Sequence, residues 1–90
     1  MGKNWDLKIS PAVLKTLKKM PRNYAERIFL IIKELPLDPF LGDIQKIKGE
    51  ENVWRRRIGA YRLSYEIDLD KKIIYVFWVQ RRSTNTYRKK

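Results

Sequence analysis

Ninety residues carry 21 Lys+Arg against 10 Asp+Glu, a net charge of +11, with no cysteine and no histidine. That length fits one small domain, 1–90, and the missing Cys excludes disulfides and thiolate metal sites. The missing His removes the commonest metal ligand and the only side chain that ordinarily titrates between about pH 5 and 8, so any catalysis falls to Lys, Arg, Tyr, Glu or Asp.

In chain order, residues 5–9 (WDLKI) alternate apolar and polar and predict a first strand. Ser10-Pro11 supplies an N-cap followed by Pro at the first helical position. Val13, Leu14, Leu17 and Met20 then recur at helical spacing, which predicts a helix over 11–20. Pro21 ends it and opens a second helix, carried by Tyr24, Ala25, Ile28, Ile31, Ile32 and Leu35 and stopped by Pro36. Phe29 and Leu30 fall off the main apolar stripe and either pack at the helix edge or line a partner groove. A loop over 36–42 precedes a strand over 43–48, and 49–52 is a turn. Strands follow at 53–59 and 61–68, joined at Gly59-Ala60. Residues 73–79 are β-branched and aromatic on both faces, as a central strand would be. The predicted class is α+β: an N-terminal strand, a two-helix hairpin, then a four-strand, largely antiparallel sheet. Trp5, Trp54 and Trp78 are expected in the core, since so small a domain needs its aromatics inside.

The charge is uneven. Residues 1–45 hold eight basic and five acidic groups, residues 46–90 thirteen and five, so the excess lies in the strand-rich half. Such asymmetry points to a polyanionic partner, nucleic acid before membrane. Arg55 and Arg57 share one strand face by period-two alternation, and Arg62 follows the turn on a strand whose other face is Tyr61, Leu63, Tyr65 and Ile67. Guanidinium groups stay charged and match phosphate geometry, so this face reads as a phosphate-binding surface. Arg56 conflicts with the pattern: alternation places it with Trp54 and Ile58, leaving either snorkelling to the sheet edge or a bulge that turns it outward. The N-terminus lacks the apolar stretch of a secretory signal, and no apolar run approaches the ~20 residues of a membrane helix. The expectation is a cytoplasmic protein.

The order of elements, with Lys46-Ile47-Lys48-Gly49, the phrase over 54–65 and its Gly59-x-Tyr61-Arg62 turn, then Val79-Gln80-Arg81-Arg82 and Tyr87, resembles the RelE/ParE toxin superfamily of toxin–antitoxin systems. The resemblance spans essentially the whole chain, and its sharpest element is the Gly-x-Tyr-Arg turn. It implies a ribosome-dependent mRNA endonuclease acting in the A site of the 30S subunit. In the family reaction, a ribose 2′-OH attacks the adjacent phosphate without metal or other cofactor. Carried over to this sequence, Arg55 and Arg57 fall at the basic strand positions and Arg62 at the phosphate-clamping arginine. Arg81 or its neighbour Arg82 is the second arginine. Tyr87 is the C-terminal tyrosine that orients or activates the nucleophile, or stacks on a base. Lys46, Lys48, Arg82 and Arg88 would add RNA contacts. The implied partners are a cognate RelB-like antitoxin, with a toxin–antitoxin heterotetramer as a candidate assembly, the ribosome and mRNA. The chain departs from many relatives in carrying Gln80 for His and arginines for lysines. Arginine is a poor base, which leaves Tyr87 as the base candidate. Two other readings stay open: a ParE-like toxin that inhibits gyrase through a protein interface, and a non-catalytic basic module that docks on RNA or the ribosome.

Overall fold

A computed structural model describes residues 5–81. The elements run β1 (Asp6–Ile9), α1 (Pro11–Lys19), α2 (Arg22–Glu34), β2 (Ile44–Lys46), β3 (Val53–Ile58), β4 (Tyr61–Asp68) and β5 (Ile73–Arg81). Ser10 caps α1 as its sequence implies, its Oγ accepting from Ala12 N at 3.2 Å, with Pro11 in the first turn. The strands form one sheet in the order β1-β5-β4-β3-β2. All neighbours are antiparallel except β1 and β5, which run parallel from Asp6↔Ile73 to Ile9↔Val76. The sheet therefore has five strands rather than four. The helical hairpin carries the chain from β1 at one edge of the sheet to β2 at the other, and the β2–β5 meander then returns to pair β5 with β1. β5 lies inside the sheet, as its two-sided apolar sequence predicts.

One sheet face carries the helices. Val13 and Leu17 of α1 and Ile28 and Ile32 of α2 pack with Leu35, Ile58, Tyr61, Leu63, Tyr65, Ile67, Ile74, Val76 and Val79 in a single core. Phe29 and Leu30 stay 40% and 58% exposed, and Phe29 lines a shallow apolar groove with Leu14 between the helices.

Beyond the end of α2 the loop over 36–42 takes over the covering role. Phe40 stacks edge-on against Trp54 with ring centroids 5.5 Å apart, and Tyr65 Oη donates to Pro39 O at 3.3 Å. Gly42, at φ +99, lies so close to the Arg56 guanidinium that a Cβ would sit 2.6 Å from its Cζ. This settles the Arg56 conflict. β3 pairs with β2 and β4 in unbroken register, so no bulge turns the residue outward. Arg56 stays on the covered face, and its guanidinium runs out beneath the loop at Gly42.

The tryptophan expectation needs correcting. Trp5 and Trp54 are half-buried against the core, but Trp78 is 49% exposed on the opposite, open face. The cause is a bulge in β5. Ser64 pairs with Trp78 and Tyr65 with Val76, so Phe77 is an extra residue that reverses the alternation after it. Ile74 and Val76 face the core before the bulge and Val79 does so after it.

Candidate functional site

The open face is organised by the β3–β4 hairpin. Register Ile58↔Tyr61 leaves Gly59 and Ala60 as a two-residue turn. Gly59 takes φ +58 while Ala60 does not, the φ pattern of a type II′ turn, whose twist suits adjoining antiparallel strands. That turn fixes Arg57 opposite Arg62 and Arg55 opposite Ser64. Arg57 N donates to Asp43 O at 3.0 Å, so it points away from β4. Arg57 and Arg62 are then a non-hydrogen-bonded pair, the kind whose side chains lie closest.

Like charges directly opposite one another on a sheet destabilise it. Arg55 adds a third guanidinium to the same shallow cleft of about 60 Å³, completed by Asp43 and Gln45. Three cations against one carboxylate leave a local charge of +2. Asp43 Oδ2 lies 3.8 Å from Arg57 Nε with both side chains largely in solvent, so the pair offsets little of the repulsion. The arrangement suits a bound anion with two or three oxygens to share, such as a phosphodiester. It can hold and neutralise developing negative charge, but guanidinium groups cannot accept a proton. Among the described residues, the Asp43 carboxylate is the proton acceptor that lines this cleft. Tyr65 is unsuited to that work: it is fully buried on the other face, and burial pushes its phenol up to about 12 despite the nearby Arg56 charge.

The structure thus brings Arg55, Arg57 and Arg62 together. It sets two other expected residues apart from them. Lys46 pairs with Trp54 and so starts from the covered face, while Gln45 beside it faces the cleft. Arg81 pairs with Tyr61, also on the covered face, and it is Gln80 that stands opposite Arg62. The Phe77 bulge decides this, because regular alternation would have sent Trp78 and Gln80 inward and Arg81 outward. Lys48 is exposed beyond β2 and is not among the residues that line the cleft. Arg82, Tyr87 and Arg88 lie outside the described residues.

Sequence reasoning missed Asp43, Gln45, Ser64 and Trp78. Gln45 was accessible from its alternation with Ile44. Trp78 was not, because a bulge leaves no mark in the residue pattern.

The family model described as "ParE toxin of type II toxin-antitoxin system, parDE" matches residues 7–86. Toxin RelE3 of Methanocaldococcus jannaschii is 38% identical over 78 residues, covering 82% of this chain and 88% of that protein. The archaeal RelE–RelB complex from Pyrococcus horikoshii OT3 superposes with TM-score 0.78 at 25% identity, over 89% of this chain and 97% of the other. The RelB–RelE antitoxin–toxin complex from Methanococcus jannaschii gives TM-score 0.71 at 31% identity, over 92% and 99%. A toxin scaffold of this kind and a three-arginine cleft on its open face converge on one assignment: the chain belongs to the RelE/ParE family of toxins from type II toxin–antitoxin systems.

Proposed function

We propose that this toxin is a ribosome-dependent mRNA endonuclease whose arginine cleft clamps the scissile phosphate in the A site. The observation that carries the reading is the juxtaposition of Arg57 and Arg62 with Arg55 beside them, a repulsive cluster that a phosphodiester would relieve. In the reaction, the 2′-oxygen forms a bond to phosphorus as the bond to the 5′-oxygen breaks. The 2′-proton passes to a base and the leaving oxygen takes up a proton. The products are a 2′,3′-cyclic phosphate and a free 5′-hydroxyl. The nucleophile belongs to the substrate, so positioning supplies much of the rate. Arg55, Arg57 and Arg62 stabilise the charge that builds on the non-bridging oxygens. Tyr87, by family position, is the base candidate, and Arg82 supplies a further cation. Lys46, Lys48 and Arg88 make backbone or rRNA contacts.

A RelB-like antitoxin is the expected partner, and it would cover the arginine face with an acidic segment. The toxin then works where ribosomes are, in the cytoplasm.

One observation favours a second, non-catalytic reading as an RNA-docking module. The cleft sets three cations beside a single carboxylate, that of Asp43.

Primer extension on an mRNA held in ribosomes with an empty A site separates the two. Wild-type protein should give a truncated product only with ribosomes, and Arg62→Ala should lower its rate about 100-fold or more. Tyr87→Phe should lower the rate at unchanged binding. Asp43→Asn should tighten binding roughly two- to fivefold through the lost carboxylate charge. Wild-type protein that binds ribosomes without cutting would leave the docking reading.

A further inference from the structure

We infer that the groove beside the arginine cleft is a nucleobase subsite, in which Trp78 stacks on the base adjoining the clamped phosphate. The inference rests on the part of the preceding reading that puts an RNA phosphate in the cleft, and is independent of cleavage.

The bulge at Phe77 puts two successive aromatic residues on the open face, where regular alternation would place one. Trp78 is left 49% exposed, an arrangement that gives up the burial of an indole. Beside it opens a groove of about 360 Å³ with apolar walls from Ile47, Val53, Phe77 and Trp78 and polar groups from Glu50, Arg55, Ser64 and Gln80. Arg55 lines both this groove and the cleft, so the two adjoin. A cationic track with an aromatic platform one step along it is how single-stranded nucleic acid is held: the backbone by charge, the base by its π-face.

Gln80 adds orientation. Trp78 Nε1–H donates to Gln80 Oε1. An indole N–H can only donate, so this contact fixes which way the amide is turned. The Gln80 amide nitrogen is left with donors for an acceptor on a base or sugar. Gln80 also stands opposite Arg62, which places it between the platform and the clamp. Within the groove Glu50 offsets Arg55, so the preference for RNA over a protein segment comes from the adjoining cleft, where Arg55, Arg57 and Arg62 outnumber Asp43.

The test is fluorescence anisotropy of a labelled single-stranded RNA hexamer, intact or carrying one abasic nucleotide moved through each position. It is titrated with full-length wild type, Trp78→Ala, Trp78→Phe and Arg62→Ala. Trp78→Ala should weaken binding of intact RNA about 10-fold, while Trp78→Phe keeps most of the affinity. At one position the abasic site should weaken wild type by a similar factor and cost Trp78→Ala nothing further. The salt dependence should persist in Trp78→Ala and flatten in Arg62→Ala. Intact RNA bound equally by Trp78→Ala and wild type, or losses that multiply at every position, overturns the subsite and leaves the indole to a protein interface. RNA not bound by wild type overturns both subsite and clamp. Base-coupled binding without cleavage on ribosomes supports the subsite and rejects only the nuclease.

Discussion

The covered and open faces of the sheet use the same strands and the same alternation for opposite ends. On the covered face, Ile58, Leu63, Tyr65, Ile67, Ile74 and Val76 are each under a tenth exposed and meet other apolar groups. On the open face, Arg57 stands against Arg62, and Trp78 keeps half its surface in water. The first set of neighbours lowers the free energy of the fold. The second set raises it, by charge repulsion and by unburied indole surface. Residues held against their own stabilising preference are where a fold carries something other than stability.

The largest expected effect is on the covered face. Leu63 is fully buried at the centre of the sheet, so Leu63→Ala should lower the unfolding free energy by about 2–5 kcal/mol in urea titrations. Arg62→Ala, next to it in sequence but on the open face, should move stability by no more than about 0.5 kcal/mol. Its direction should be towards greater stability, since a like-charge pair disappears. The same variant should lose RNA affinity and flatten its salt dependence by about 0.7 in log–log slope for each phosphate contact removed. If Arg62→Ala unfolded as readily as Leu63→Ala, the arginine would belong to the scaffold and the contrast between faces would collapse.

How far the residues announce this arrangement differs between the faces as well. Pro11, Pro21 and Pro36 punctuate the helices, and Gly59 marks the hairpin, because each restricts or frees the backbone in a way no neighbour can override. Arg55, Arg57 and Arg62 were legible as one face for the same reason: once the two-residue turn is set, alternation fixes everything on both strands. Two placements failed together, Trp78 inward and Arg81 in the site, and both trace to one inserted residue at Phe77. A bulge is decided by how β4 and β5 pair, a tertiary matter that a single strand's residues do not encode. Arg56 was ambiguous because its solution depends on a loop fourteen residues earlier, at Gly42, leaving room for the guanidinium. Joining β1 to the sheet was equally non-local, since Leu7 and Ile9 read the same whether their neighbour is β5 or another strand.

That loop sharpens the contrast within the covered face itself. Gly42 has φ +99 and no room for a Cβ beside Arg56. Gly42→Ala should therefore cost about 1–3 kcal/mol. Adding Arg56→Ala should return only the steric part, because the backbone strain remains. Recovery of full stability in the double variant would mean that contact alone, and not the left-handed backbone, fixes glycine there.

A smaller effect than that of Gly42→Ala comes from Tyr65, beneath the same loop. Tyr65→Phe removes one buried hydrogen bond to Pro39 O and should cost about 0.5–1.5 kcal/mol at neutral pH. Its signature is the pH dependence. Burial raises the phenol to about 12 in the folded protein, with the Arg56 charge pulling weakly the other way, whereas an unfolded tyrosine releases its proton near its ordinary value of 10.0. Between those values the folded state holds a proton that the unfolded state has lost, so stability falls as pH rises. The contribution is complete below about pH 10 and declines as the pH climbs through the folded value. Every other ionisable group is common to wild type and Tyr65→Phe, so the difference between the two isolates the phenol. Urea titrations from pH 8 to 11.5 should show wild type losing its advantage over Tyr65→Phe only above about pH 10. Parallel curves over that whole range would mean that the loop does not seal Tyr65 from water, and that the covered face ends with the helices.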